Sequence, residues 1–464
     1  MWCEIRSKNH YLFFIILIAL ILRGALPAAS WLINNDHKVF WTPDTSSYVC
    51  SARGLIETLS FSCNNEPETL RSPGYPILLI PGLFMGQLEA VTIILQIFLG
   101  VGIVFLVYKI ALILSGNLNA ALFSATIYSI EPVSIIHCSF LMSDTFFTFA
   151  LTFFVWYLLN YLKTFSRISL VSACLWLVAS IYIRPVAYYL CLLVPSFLLI
   201  TTLFKTNRAR RQRIIHDSTL FFAVTVLLVG SWQVRNFVLT GYAGFSSVME
   251  YNLYYILGST IIGKRDHISE EQSLKKLAEL QAAQIESQHG EERTTRLKNL
   301  EWQKNYSLHL IRENPGIFIR VVISSLRSTI FQAGFELLNF FNHCFDRSSL
   351  FRQDGVDRGQ SSIVENTLQY FGLRVRGYLL IGIIVWTAVL LGIYSLSLLS
   401  LKFRFNPENL TSVCFLLIMI LYVMTVPAIT GLGYSRFRLP VMPLICVLSG
   451  TGLAALRSYF KATT

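Results

Sequence analysis

Between Gln87 and Ile110 the chain reads LEAVTIILQIFLGVGIVFLVYK (residues 88–109), with its acid at the start, its lysine at the end and Gln96 between them. A hydrocarbon core about 30 Å thick takes roughly 20 apolar residues of helix, and a helix satisfies every backbone group within one segment. This stretch meets both demands, so its solvent is a membrane. Similar runs cover Tyr11 to Leu32 and about 118–138, 145–162, 168–184, 186–204, 216–237, 378–401, 409–429 and 439–456. Together they predict an all-α polytopic membrane protein with about ten transmembrane helices. The composition agrees: 54% of residues are hydrophobic and 14% charged, against roughly a quarter charged in soluble domains.

The net charge of +12 would suggest a nucleic-acid partner in a soluble protein. Here the basic residues cluster in short connections between apolar runs, a topological pattern that needs no nucleic acid. Arg6 and Lys8, Lys109, Lys163 and Arg167, Lys205 to Arg213, Lys402 and Arg404, and Arg457 and Lys461 all fall on one side, which the positive-inside rule makes cytoplasmic. Loops 33–87 and 238–377 then share the opposite face. The first run lacks the small-residue cleavage site of a removed signal and is expected to stay as an anchor.

Three regions follow: an N-terminal transmembrane module over 1–237 with external loop 33–87, an external helical region over 238–377, and C-terminal transmembrane helices over 378–464. Within the middle region Ser269 with Glu270 and Glu271 marks a helix start, Gly290 a break and Asn314-Pro315 a stop. The segment 316–341 is apolar, but Arg320 and Arg327 fall two helical turns apart on one face, so an interfacial helix is expected instead of a crossing. No CxxC pair and no Cys/His spacing suited to zinc occurs among the nine cysteines. Cys50 and Cys63 share the first loop and are able to pair, although scattered free cysteines are the favoured expectation.

Chemistry-bearing residues gather at the external ends. Pro43-Asp44-Thr45-Ser46-Ser47-Tyr48 precedes a short amphipathic helix marked by Ala52, Leu55, Ile56 and Leu59. Asp44 is either a helix cap or a carboxylate held at the membrane surface as a general base. In Arg71-Ser72-Pro73-Gly74-Tyr75-Pro76, two prolines and a glycine argue against regular helix, and an arginine at that level suits a phosphate. Glu131 and Asp144 border the same vestibule; for Asp144 the plain alternative is an acid favoured by its helix N-terminus. Arg184, Arg235, Arg436 and Arg438 run against the positive-inside tendency, and a lipid phosphate would explain them together.

The order of these elements resembles the C-type glycosyltransferases, in the branch of protein O-mannosyltransferases and lipid A aminoarabinose transferases (glycosyltransferase family 39 and its bacterial relatives). The resemblance rests on Asp44/Tyr48, Arg71/Pro73/Tyr75/Pro76, Asp144, Arg184/Pro185, Trp232/Arg235/Asn236 and Arg436/Phe437/Arg438/Pro440/Pro443, spread over nearly the whole chain. It implies a sugar moved from a polyprenyl-phosphate donor to a hydroxyl acceptor, with inversion, at the external or periplasmic face of a bacterial cytoplasmic (inner) membrane. It casts Asp44 as catalytic base and Asp144 as its support. Tyr48, Arg71, Tyr75, Glu131, Arg184, Arg235, Arg436 and Arg438 are the expected substrate-binding residues. The family often carries a second acid directly after the first, where this chain has Thr45. No cofactor is expected, and a divalent metal stays an open question.

Two other classes share parts of the pattern. A ligase or polymerase of lipid-linked sugars also places arginines externally, but usually carries its large loop late in the chain. A lipid or oligosaccharide transporter would have anion-binding arginines without a first-loop acid, and often shows an internal repeat that is not evident here.

Overall fold

The computed structural model describes residues 2–34, 36–204, 207–286, 292–332, 363–402 and 407–463. Eleven of the described helices carry the ten apolar segments named above. Helices α1 (Trp2–Asn34), α4 (Leu88–Ser115), α7 (Asp144–Thr164) and α10 (Arg208–Thr240) are long, as are α16 (Ile363–Lys402), α17 (Pro407–Ile429) and α18 (Met442–Thr463). Among the described residues seven helices are long and apolar enough to cross a membrane.

The other apolar segments are helical but shorter. Residues 118–138 divide into α5 (Leu118–Ser129) and α6 (Pro132–His137), because Glu131-Pro132 starts a new helix there: Pro132 stands where no amide donor is needed and the Glu131 carboxylate accepts from Ser134 N–H. Helices α8 (Arg167–Ile183) and α9 (Leu190–Thr201) are separated by a turn at Pro185–Ala187.

The basic connections meet at one end of the bundle. Lys163 donates to the Ile113 carbonyl, Arg213 to that of Phe165 at 2.6 Å, and Asn409 to that of Leu114 at 2.7 Å. The first loop, the start of α7, the end of α8 and the start of α18 meet at the other.

Two local expectations are corrected. In the first loop α2 spans Thr45–Thr58 and turns Tyr48, Val49 and Ala52 inward, whereas Leu59 lies past its end in a left-handed conformation and 91% exposed. Residues 74–84 form a helix, α3 (Gly74–Phe84): Pro73 is its N-cap and Pro76 falls in its first turn, where prolines are tolerated, and Pro81 is carried inside it. Gly74 lets α3 meet α8 closely: a Cβ there would stand 2.7 Å from the Tyr182 carbonyl carbon.

A two-stranded hairpin, β1 (Ser62–Cys63) and β2 (Glu66–Pro67), follows α2, and Cys63 forms a disulfide with Cys50 of α2. The pairing therefore holds where free thiols were favoured, because the hairpin folds back onto the helix. The loop is also tied to α10. Arg235 lies over the Trp232 ring at 4.9 Å and donates to the Phe61 carbonyl and, at 2.8 Å, to that of Glu68.

The middle region adds α11 (Val248–Tyr251), α12 (Gly258–Asp266), α13 (Glu270–Glu286), α14 (Glu292–Glu313) and α15 (Pro315–Phe331), with small apolar clusters of its own. Ser269 and Gln272 cap α13 reciprocally, side chain to backbone in both directions. The predicted stop at Asn314-Pro315 separates α14 from α15, and the break at Gly290 lies outside the described residues. Helix α15 ends at Phe331 and packs on α17 and the turn at Ser435–Val441; residues 333–341 of the expected interfacial helix are likewise not described.

Candidate active site

Four separate elements bring charged side chains to one opening. Asp44 stands at the N-cap position of α2, yet its carboxylate makes no capping hydrogen bond. Thr45, the first residue of α2, instead ties the helix start to its surroundings: its Oγ1 accepts from Thr42 N–H and donates to the Leu141 carbonyl. That leaves the Asp44 oxygens to the arginines. Oδ1 accepts from Arg71 Nη2 at 2.8 Å, and Oδ2 accepts from Arg436 Nη1 and Nη2 at 3.4 Å.

Asp144 opens α7 beneath it. Its carboxylate accepts from Arg184, at the end of α8, and both its oxygens lie 3.2 Å from Arg436 Nε. Arg436 thus spans the two acids from the turn that leads into α18. Exposure is graded across the cluster: the Asp144 side chain is 0% exposed and that of Asp44 34%, with Arg184, Arg71 and Arg436 between them at 15%, 18% and 21%.

Burial works to raise the Asp44 carboxyl, but the guanidinium groups of Arg71 and Arg436, with Arg184 farther off, outweigh it and hold the group below the usual aspartate value. Asp44 is therefore ionised through the neutral range.

Aromatic side chains wall the cluster. Arg71 lies over the Tyr48 ring at 4.6 Å, donates from Nη1 to the Tyr48 hydroxyl at 3.4 Å and from Nε to Ser47 Oγ at 2.9 Å. Tyr75 meets Tyr48 edge-on at 4.8 Å and Phe146 at 5.6 Å; it is wholly buried, with its hydroxyl unpartnered by any described group. Glu68 accepts from the amides of Leu70 and Arg71 and so fixes the turn that presents Arg71. The sequence reading gave Glu68 and Ser47 no role. An acid three residues before Arg71 was the available signal.

The structure thus brings together Asp44, Tyr48, Arg71, Tyr75, Asp144, Arg184 and Arg436. It places three expected site residues elsewhere. Arg235 is held by backbone carbonyls of the first loop, as described above. Arg438 is 1% exposed and donates from Nη1 to the carbonyls of Thr329, Ile330 and Gln332, which fastens the end of α15. Glu131 is buried as the cap of α6.

No protein-family model matches this chain, and no curated protein sequence matches it. Its fold does match a solved one. The archaeal oligosaccharyltransferase AglB of Archaeoglobus fulgidus, solved with an inhibitory peptide and a dolichol-phosphate, superposes at a TM-score of 0.56 and 14% identity over 100% of this chain. The match covers 52% of that enzyme, so this chain spans about half its length. ArnT of Cupriavidus metallidurans, bound to undecaprenyl phosphate, aligns over 94% of this chain and 78% of its own at 12% identity, with a TM-score of 0.37 that adds nothing to the comparison. The chain has the fold of the C-type glycosyltransferases, in a multi-pass helical membrane protein.

Proposed function

We propose that the protein is a membrane glycosyltransferase that moves a sugar from a polyprenyl-phosphate carrier to a hydroxyl acceptor, with Asp44 as base. The observation that carries this reading is the graded cluster: a carboxylate at the opening, a second one buried beneath it, and three arginines between and around them. Three guanidinium groups against two carboxylates leave one positive charge. The phosphodiester of a polyprenyl-phosphate sugar carries one negative charge, so it balances the site; a pyrophosphate-linked donor, with its extra charge, would overload it.

In the transfer the acceptor oxygen attacks the anomeric carbon and forms the new C–O bond, while the bond from that carbon to the phosphate oxygen breaks. The leaving phosphate gains a negative charge, which Arg71, Arg184 and Arg436 are positioned to meet. The acceptor proton passes to Asp44, the acid that solvent and an acceptor reach. Asp144 has no exposure and keeps Arg184 and Arg436 in place. Attack opposite the leaving group inverts the anomeric centre, so a product of retained configuration would contradict this scheme.

Two further observations support the reading. The dolichol-phosphate bound to the fold-sharing oligosaccharyltransferase fits a lipid-phosphate partner. The Cys50–Cys63 disulfide suits an oxidising compartment, hence the external face of a bacterial inner membrane. The acceptor is a glycolipid, a polysaccharide or a protein, and region 238–377, the largest external element, would select among them. Exchanging that region with one from a relative of different acceptor tests this selection; an unchanged product would refute it.

The test of the central claim is transfer of labelled sugar from the polyprenyl-phosphate pool in membranes that contain the protein. Transfer that depends on the protein and on Asp44 supports the proposal. Protein-dependent movement of the lipid-linked sugar across the membrane without transfer would establish a transporter instead.

A further inference from the structure

Two carboxylates that reach one opening from separate elements also describe how a divalent cation is held, so the fit of the donor set to a metal decides an open question. Magnesium and manganese ions ask for oxygen ligands in near-octahedral array, commonly one or two carboxylates with a substrate phosphate. Here all four carboxylate oxygens already accept guanidinium N–H groups: Asp44 Oδ1 from Arg71, Asp44 Oδ2 from Arg436, and the two Asp144 oxygens from Arg184 and Arg436.

The residue after Asp44 supplies no further ligand. Thr45 has its hydroxyl turned inward onto Thr42 and Leu141. Among the described residues no three of His, Cys, Asp and Glu gather where they would hold an ion. Charge points the same way. The cluster carries a surplus of one positive charge, and a dication would raise it to three before any substrate arrived. The residues do not fit a metal.

We infer that Arg436 takes the place of a divalent cation, its guanidinium bridging Asp44 and Asp144 and offering fixed positive charge to the substrate phosphate. An arginine suits the role because it stays protonated at every physiological pH, and its planar fork sets the spacing of the two carboxylates as a ligand sphere would. Asp144 and Arg184 are the floor on which that fork rests. Arg436 accordingly both meets the substrate phosphate and holds Asp44 in place, and the site keeps its charge in the presence of a chelator.

The part of this inference that concerns transfer rests on the proposed function, whereas cation binding does not. The first measurement is therefore Mn2+ binding by the purified full-length protein, followed by electron paramagnetic resonance and by melting temperature. The wild type is expected to leave free Mn2+ unchanged. Arg436→Gln, which frees Oδ2 of both Asp44 and Asp144 and brings the cluster to neutrality, is expected to gain a Mn2+-dependent rise in melting temperature that Asp44→Asn removes.

One Mn2+ bound per wild-type chain and lost in Asp44→Asn would overturn the inference, whatever the variant at 436 does. A folded Arg436→Gln that stays indifferent to Mn2+ would overturn it as well.

The second measurement is sugar transfer in membranes stripped with EDTA. Loss of a charge-supplying metal lowers a rate on the order of a hundredfold, and transfer here is expected to persist at its starting level. Transfer abolished by EDTA and restored by Mn2+ or Mg2+ would refute the inference. Absence of transfer before stripping would refute the proposed function and leave the binding measurement to decide the role of Arg436.

Discussion

Asp44→Asn separates chemistry from stability more cleanly than any other change in the cluster. The substitution keeps the shape of the side chain, and an amide oxygen in place of Oδ1 still accepts from Arg71 Nη2, now 2.8 Å away. What disappears is the negative charge and the site for the acceptor proton. Because the Asp44 side chain is 34% exposed, its ion pairs belong with surface pairs, which contribute about 0–1 kcal/mol. A positioned general base is worth about 10²–10⁴ in rate, or roughly 3–5 kcal/mol of barrier. Asp44→Asn should therefore fold at wild-type abundance, melt within a few degrees of wild type, and transfer sugar at least a hundredfold more slowly. The assay is the initial rate of transfer in membranes matched by immunoblot, beside a melting curve of the purified protein. Asp144→Asn supplies the contrast. Its carboxylate is wholly buried between Arg184 and Arg436, and breaking such a pair costs about 3–5 kcal/mol, so abundance and transfer should fall together. Transfer by Asp44→Asn within about tenfold of wild type would refute the base assignment and leave Asp44 as the residue that begins α2.

The pH dependence has a definite sign. Since the arginines hold Asp44 below its ordinary value of 3.8, its pairs contribute above that value and are lost as pH falls through the depressed pKa. The profile of kcat/KM should stay flat from neutrality down through the ordinary aspartate range, with an acid limb below it, and Arg71→Gln should move that limb to higher pH. A limb near neutrality would contradict the electrostatics. Arg235→Ala strips hydrogen bonds from the carbonyls of Phe61 and Glu68; unsatisfied buried groups cost about 1–3 kcal/mol, so the melting temperature should fall while transfer per folded molecule holds. A selective loss of transfer would return Arg235 to the substrate site. Replacing Cys50 and Cys63 by serine removes a disulfide of sequence separation 13, worth about 3 kcal/mol for a loop of that size, so the melting temperature should fall, while in the wild type maleimide labelling of the first loop should require prior reduction.

The apolar segments were legible because their signal is length and composition, which lipid imposes on each helix separately. The division of 118–138 was visible only as Glu131-Pro132, which composition passes over. The arginines show the boundary of such legibility. Arg184, Arg235, Arg436 and Arg438 stand against the positive-inside tendency, and sequence order places them and Arg71 on one face of the membrane. It does not state which backbone carbonyls return to that face. Arg71, Arg184 and Arg436 meet carboxylates, whereas Arg235 and Arg438 meet carbonyls of the first loop and of α15, segments remote in sequence. The disulfide was under-read for the same reason: its formation depends on a four-residue hairpin turn at Asn64 and Asn65, both in the left-handed region. Helix α3 was missed because Pro73 and Pro76, which would break a helix in its middle, stand at its start, where they are tolerated.

Arg23, in the first apolar run, has no exposure and donates to the carbonyls of Tyr128 and Ser129 and to the hydroxyl of Ser134. Those partners are synthesised about a hundred residues later, which at ribosomal rates of 5–20 residues per second is a delay of roughly 5–20 s. During that interval the nascent first helix carries an arginine whose presence in lipid costs about 3 kcal/mol on insertion scales. Early in biogenesis α1 is therefore held by the hydropathy of its neighbouring residues alone, in a window before the later partners of Arg23 exist. The arrival of α5 and α6 closes that window, so the order of synthesis becomes the order in which the bundle is committed to its final topology.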